Sequence, residues 1–154
     1  VYFDEKNRMS LVSYRTNAAR VADELSARGK KTEAIQVLDN VMKGITSTSY
    51  AYDFWCYPMV ASYYRAGAND KGKDLAMKLS KNLEDDVKYI AALPNEDQRA
   101  SLANDVQRDI SVINVLGNFA AYGGDSTTSK DMSNKAQALM QLALSKIGAE
   151  NFQR

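Results

Sequence analysis

Apolar residues recur along most of this chain at steps of three and four, the period of a helix that buries one stripe. The first firm stripe, Ala18, Val21, Ala22 and Leu25, predicts a helix over about 13–28, ended by Gly29 in a left-handed conformation. Ile35, Leu38, Val41, Met42 and Ile45 predict a second helix over about 32–43, stopped at Gly44. A Ser/Thr-rich connection, Thr46-Ser47-Thr48-Ser49, leads to a third helix over about 53–66 with Asp53 as its cap. Pro58 also allows that helix to open later, with the preceding aromatics in a structured loop. Leu75, Leu79, Leu83, Val87 and Ile90 mark a fourth helix over about 70–93, and Pro94 ends it. Asn95 followed by Gln98 reads as the cap of a fifth, over about 96–122, with Leu102, Val106, Ile110, Ile113, Leu116 and Ala120 inward. Gly123-Gly124 closes it as a helix stop. A last helix over about 129–147 buries Met132, Ala136, Leu139, Met140, Ala143 and Ile147. Residues 1–12 are weakly patterned and expected to be partly helical or extended, with Tyr2, Phe3, Met9, Leu11 and Val12 available to dock on a core. The expected fold is therefore all-α, about six helices joined by short connections, with no credible strand.

Two helix–Gly–helix units organise the first half. In one, Gly29 takes the turn, Ala22 and Ala34 sit where the helices cross, and Leu25 and Leu38 lie beside them. In the other, Gly67 takes the turn, Val60 and Gly72 take the crossing, and Tyr63 and Ala76 flank it. This is the spacing of a tetratricopeptide-type hairpin. A glycine at 72 costs roughly 1 kcal/mol of helix stability relative to Ala, which close backbone approach justifies. The turn glycines are 38 residues apart, against about 34 in that repeat, and Thr46 stands where a proline commonly closes the unit. Residues 13–93 are thus expected to form two hairpins with right-handed stacking, and 94–154 a helical pair that caps them in the same single domain.

Composition narrows what such a domain can do. The chain has 154 residues, enough to bury a core, and few glycines and prolines to sustain long linkers. Its net charge of +1, with Lys and Arg scattered among Asp and Glu, gives no basic stripe for nucleic acid and no polybasic membrane patch. One cysteine and no histidine exclude an internal disulfide, a Cys–His dyad and a conventional zinc site, so no metal and no cofactor is expected. Cys56 reads as a small buried hydrophobe. Asp85-Asp86 diverge by about 100° on a helix and read as a solvated face. Asp105 and Asp109 share a face beside Arg108 and read as a surface charge pattern. Gly123-Gly124-Asp125-Ser126 is too short for a phosphate loop and follows a helix instead of preceding one. No apolar run reaches the ~18 residues of a membrane-spanning helix. The start at Val1 without methionine is expected of a piece of a longer or processed protein.

Beyond the generic repeat, the order of several short motifs is informative. They are Ser13-Tyr14-Arg15-Thr16-Asn17, Gly29-Lys30-Lys31, Glu33-Ala34-Ile35 and Val37-Leu38-Asp39, then Tyr52-Asp53-Phe54, Tyr57-Pro58-Met59 and Tyr63-Tyr64-Arg65-Ala66-Gly67. Leu93-Pro94 and Arg99-Ala100-Ser101-Leu102 complete the set. Over about residues 10–125 this order resembles the C-terminal soluble domain of bacterial multi-pass membrane proteins similar to protein O-mannosyltransferases. The resemblance implies a parent that transfers sugar from a lipid-linked donor, with this domain outside the bilayer on the periplasmic side. It implies chemistry in membrane loops that are not part of this chain, so no catalytic residue carries over and the fragment itself is not expected to be an enzyme.

Seven of the 14 aromatic residues lie between positions 50 and 64, as Tyr50, Tyr52, Phe54, Trp55, Tyr57, Tyr63 and Tyr64. They suit core filling between hairpins, peptide anchoring or sugar stacking. Repeat geometry turns Cys56, Met59, Val60 and Tyr63 towards the partner helix and Phe54, Tyr57, Tyr64 and Arg65 towards a concave groove. Asp23 and Ser26 take the equivalent groove positions on the neighbouring hairpin. The expected ligand of that groove is a polypeptide segment, either an acceptor or the parent's own membrane part. The alternatives are a glycan-binding module and a purely structural cap.

Overall fold

A computed structural model of the chain describes residues 5–47 and 51–152, which form seven α-helices and no strand. The expected docking of Tyr2 and Phe3, the Thr48-Ser49 part of the Ser/Thr-rich connection and Tyr50 lie outside the described residues. The helices are α1 (Glu5–Ala27), α2 (Lys31–Gly44), α3 (Tyr57–Arg65), α4 (Asn69–Ala91), α5 (Glu96–Ser101), α6 (Ala103–Tyr122) and α7 (Ser126–Ile147).

Helix α1 opens well before residue 13. Val12 and Arg15 extend its buried stripe backwards, and the Ser13 and Thr16 hydroxyls bond to the Met9 and Val12 carbonyls one turn earlier. A charged residue inside the stripe hid that periodicity. At α3 the Asp53 carboxylate accepts from the Trp55 N–H, a 3₁₀ turn spans Phe54–Cys56, and Pro58 sits in the first turn where its missing N–H is harmless. The expected fifth helix is two helices. Asn95 caps the Gln98 N–H as its sequence predicts, but Leu102, at φ −100° and ψ 7°, breaks the run. Arg99 holds the break by donating to the Lys146 carbonyl at 2.8 Å and the Leu93 carbonyl at 2.6 Å.

Three of the connections are the same turn. Gly29, Gly67 and Gly124 have φ of 77°, 80° and 79°. In each turn the residue after the glycine donates to a carbonyl five residues back: Lys30 to Leu25 at 2.9 Å, Ala68 to Tyr63 at 2.9 Å and Asp125 to Ala120 at 2.8 Å. These are Schellman closures, which satisfy carbonyls left over at a helix end. The last two long helices, α6 and α7, are therefore a third hairpin built like the first two, where a cap was expected. Its crossing positions are filled by Gly117 and Ser129, and a Cβ at Gly117 would come within 3.1 Å of the Ser129 carbonyl oxygen.

One core runs through all three hairpins. Ala22, Ala34 and Leu38 fill the first; Met59, Val60, Ala76, Leu79 and Val87 the second; Val106, Ile113, Leu116, Met132 and Ala143 the third. Each of these apolar side chains contributes about 1.5–3 kcal/mol where it is a Val, Leu, Ile or Met. Helix α1 packs on α3, α3 on α6, and α4 on both α6 and α7.

Candidate functional site

Contacts between the leading helices of the hairpins fix their relative direction. From α1 to the α3 segment they pass from Arg15–Cys56 to Ala19–Ser62 to Asp23–Arg65, advancing along both chains together. From α3 to α6 they pass from Tyr57–Phe119 to Tyr64–Gly123. The three leading helices thus lie side by side and parallel, and the outer face of that layer is the candidate site.

Five of the six predicted site residues, Asp23, Ser26, Phe54, Tyr57 and Arg65, keep part of their surface accessible. The Arg65 guanidinium pairs with Asp23 across α3 and α1, and both side chains are more than a third exposed. Tyr57 is exposed, and its ring stacks on Phe119 with centroids 6.4 Å apart and planes at 13°. Phe54 is half-buried beside the exposed Trp55, with ring centroids 4.8 Å apart. Ser26 is half-buried near the end of α1. Its Oγ and the Asp23 Oδ1 are buried atoms with no hydrogen-bond partner among the described residues. Native folds pair most such atoms, so hydrogen-bonding capacity is left unspent here.

Tyr64 departs from the expectation. Only 3% of it is exposed, so it is a core residue, while Arg65 beside it stays in the groove. Its ring fills a slot between Gly72 and Gly123. A Cβ at 72 would lie 3.0 Å from the ring and one at 123 would lie 2.3 Å from it. Gly72 is thus required by this side chain and not by approach of the Val60 backbone. Burial, then the nearby Asp125 carboxylate, pushes the Tyr64 hydroxyl up to about 12. Cys56, Met59, Val60 and Tyr63 are buried as expected, and the Tyr63 hydroxyl donates to Asp39 of α2 at 3.0 Å.

Three residues matter more than their sequence context indicated. Phe119 completes the aromatic pair from α6, where its position beside Asn118 gave no signal apart from its type. Arg108 lies over the Phe54 ring at 4.0 Å and binds Asp105 at 2.7 Å and Asp109 at 2.8 Å. Asp109 is 2% exposed, so this is no surface charge pattern: burial raises its carboxyl, and the Arg108 guanidinium opposes the rise. Arg15 is fully buried and donates to the Ala51 and Ile45 carbonyls and to Cys56 Sγ, each at 3.2 Å. It fastens the connection before α3 to α1. Burial pushes the Cys56 thiol up to about 11. Asp85 pairs with Lys81 on the exposed face of α4, as its sequence position predicts.

The arrangement presents aromatic rings, the exposed Arg65–Asp23 and Arg108–Asp105 ion pairs and unspent hydrogen bonds, a surface suited to binding. Among the described residues no group of three or more His, Cys, Asp or Glu is placed to hold a metal ion, and no helix is long and apolar enough to cross a membrane. A cleft of about 550 Å³ separates α2 from α4, floored by Met42, Tyr63 and Leu75. Family models, curated proteins and solved structures were all compared with the chain, and none of them matches it.

Proposed function

We propose that the chain is a non-catalytic, tetratricopeptide-like scaffold whose leading-helix face holds a polypeptide segment. The reading includes its place as the extramembrane, periplasmic part of a membrane glycosyltransferase-like protein, with an acceptor or the parent's own membrane part as the bound segment. The observation that carries the binding reading is the coincidence, on one layer of parallel helices, of the Tyr57–Phe119 stack and the exposed Arg65–Asp23 pair. Rigid aromatic rings contribute contact area at little entropic cost, and the ion pair with the unspent Asp23 oxygen can fix a backbone or side chain beside them. The order of the motifs from Ser13 to Leu102 supports the parentage.

The test is selection of 12-residue peptides from a random display library on the folded chain, followed by titration of the winners with Tyr57→Ala and Arg65→Ala variants. Peptides that bind the parent chain and lose at least about tenfold affinity with Tyr57→Ala support the proposal. Winners unaffected by both substitutions overturn it. A parallel titration with oligosaccharides decides the alternative: a glycan response abolished by Tyr57→Ala replaces the polypeptide with a sugar.

A further inference from the structure

A cleft of about 430 Å³ opens where α4 and α7 end, with α5 across its mouth. Its floor is apolar, from Ala91 and Leu93 at and just past the end of α4 and from Leu142 on α7. Its rim carries three cations, Lys88, Arg99 and Lys146, and among the described residues no carboxylate lines it. Lys88 pairs with Glu84, but Glu84 divides its charge between Lys88 and Lys135. Arg99 and Lys146 form no ion pair among the described residues.

A neighbouring cleft beside Tyr52 shows that this imbalance is not a property of every lysine-lined hollow. It also holds three lysines, yet Lys78 pairs with Asp74, Lys81 with Asp85 and Lys135 with Glu84. At the first cleft the two helix ends offset part of the excess, each supplying about half a negative charge. With the share of Glu84 that reaches Lys88, roughly one and a half positive charges stay unmatched.

Arg99 is set in place before any ligand arrives. Its Nε donates to the Lys146 carbonyl at 2.8 Å and its Nη1 to the Leu93 carbonyl at 2.6 Å. Those two bonds leave three of the five guanidinium N–H donors without a partner. A fork held in this way loses little further freedom on binding, and its planar edge matches the oxygens of a carboxylate or a phosphate. A carboxylate brings one charge and two oxygens. A phosphate monoester brings about −1.5 to −2 at pH 7 and three acceptor oxygens, which suits three cations better. The volume lies in the range of small-molecule sites, about 300–1,000 Å³, and the apolar floor offers a seat to whatever the phosphate is attached to.

We infer that this cleft binds a small phosphate monoester, its terminal oxygens held by Arg99, Lys146 and Lys88 and its apolar stem laid on Leu93 and Leu142. The site is built from the second helices of their hairpins and from α5, so it is independent of the leading-helix face and of the polypeptide reading.

The experiment titrates the ¹⁵N-labelled chain with phenyl phosphate at constant ionic strength. It follows the Arg99 Nε–H signal and the backbone amides of Leu93 and Lys146. Saturable shifts are expected there, with the amides of Met77 and Lys81 beside Tyr52 unmoved. Phenylacetate has a similar ring but one charge, and inorganic phosphate has no ring; each should bind clearly more weakly. Lys146→Gln, at an exposed residue without an ion pair, should weaken phenyl phosphate about tenfold with Tm unchanged. Lys81→Gln should leave its affinity unchanged. Inorganic phosphate binding as tightly as phenyl phosphate would reduce the site to an adventitious ion only and overturn the inference. Phenylacetate binding as tightly would overturn the phosphate. Equal losses with the two variants, or shifts spread without saturation over the exposed lysines, would overturn the site itself.

Discussion

The slot that holds Tyr64 makes a sharp prediction, because the usual rule for its glycine reverses there. Gly123 has φ −76° and ψ 0°, a conformation open to any residue. Alanine at such a position ordinarily stabilises a protein by about 0.4–1 kcal/mol through the unfolded chain. In this fold the added methyl would lie 2.3 Å from the Tyr64 ring. The ring cannot retreat, since its other edge already stands 3.0 Å from where a Cβ would be at Gly72, and 97% of the residue is buried. Overpacking of a filled core costs about 1–3 kcal/mol. Gly123→Ala should therefore destabilise by about 1–2 kcal/mol net, a fall in Tm of roughly 2–8 °C for a chain of this size.

The same substitution made in a Tyr64→Leu background should be neutral or stabilising, because the ring that it strikes is gone. The coupling between the two positions is then about 1–3 kcal/mol, read from urea unfolding curves followed by circular dichroism at constant m. Gly123→Ala raising the Tm of the parent chain would refute the slot. So would an equal change in both backgrounds, since it would place the cost of the methyl somewhere other than the ring.

Two further outcomes follow from separate features. Gly29→Ala, Gly67→Ala and Gly124→Ala meet no atom within 4 Å, so each should cost only the strain of a left-handed residue, about 1–2 kcal/mol. The three unfolding midpoints should fall by similar amounts; a negligible loss at Gly124 would show that the third turn is not equivalent to the others. Lys135 first and Lys88 second, both bonded to Glu84, hold its carboxyl at about 2, against an ordinary 4.5. Ionised Glu84 thus favours the folded chain above pH 4.5, and that contribution disappears as the pH falls from about 4.5 to about 2. Glu84→Gln should lower Tm at pH 6 and by clearly less at pH 2; an equal loss at both pH values would show that charge is not the cause.

How much of this was legible in the sequence depended on whether the signal was local. The turns at Gly29 and Gly67 were legible because a lone glycine stands between two periodic stripes. The third turn was hidden by its own chemistry. Gly123-Gly124 reads as a double stop, and Gly117 at the crossing reads as a weak point in a helix. The distance between turns also misled, since the second and third glycines are 57 residues apart while the first pair are 38 apart. Helix α4 is long and α5 is inserted before α6, so a search at a fixed period passes over the third unit. Asp53 and Asn95 capped as read, because a cap acts within three residues. Tyr64 could not be placed this way: its phase along α3 points to the groove, and only two glycines from other helices make the slot that takes it inside. Asp109 was missed for the same reason, as its burial comes from packing around α6 and not from its neighbours in sequence.

The repeated turn does not bring repeated packing, and the difference bears on where a partner would act. The third hairpin meets the second through both of its helices, with α4 against α6 and α7 and with Lys135 reaching Glu84 across the seam. The first hairpin meets the second mainly through α1 on α3, while the cleft separates α2 from α4 and is bridged by Asp39, which accepts from Tyr63 and pairs with Lys71. Arg15 compensates in part: its bonds to the Ala51 and Ile45 carbonyls and to Cys56 tie the connection before α3 back to α1, and a hydrogen bond from a charged donor is worth about 1.5–3 kcal/mol. The Asp23–Arg65 pair lies on this same seam, yet as an exposed pair it adds only about 0–1 kcal/mol. A segment laid along the leading helices would cross the seam between the first hairpin and the second, and would tie the first hairpin to the other two. Binding there would therefore be coupled to the rigidity of the first hairpin on the second, because both would strengthen a junction whose trailing helices stand apart across the cleft.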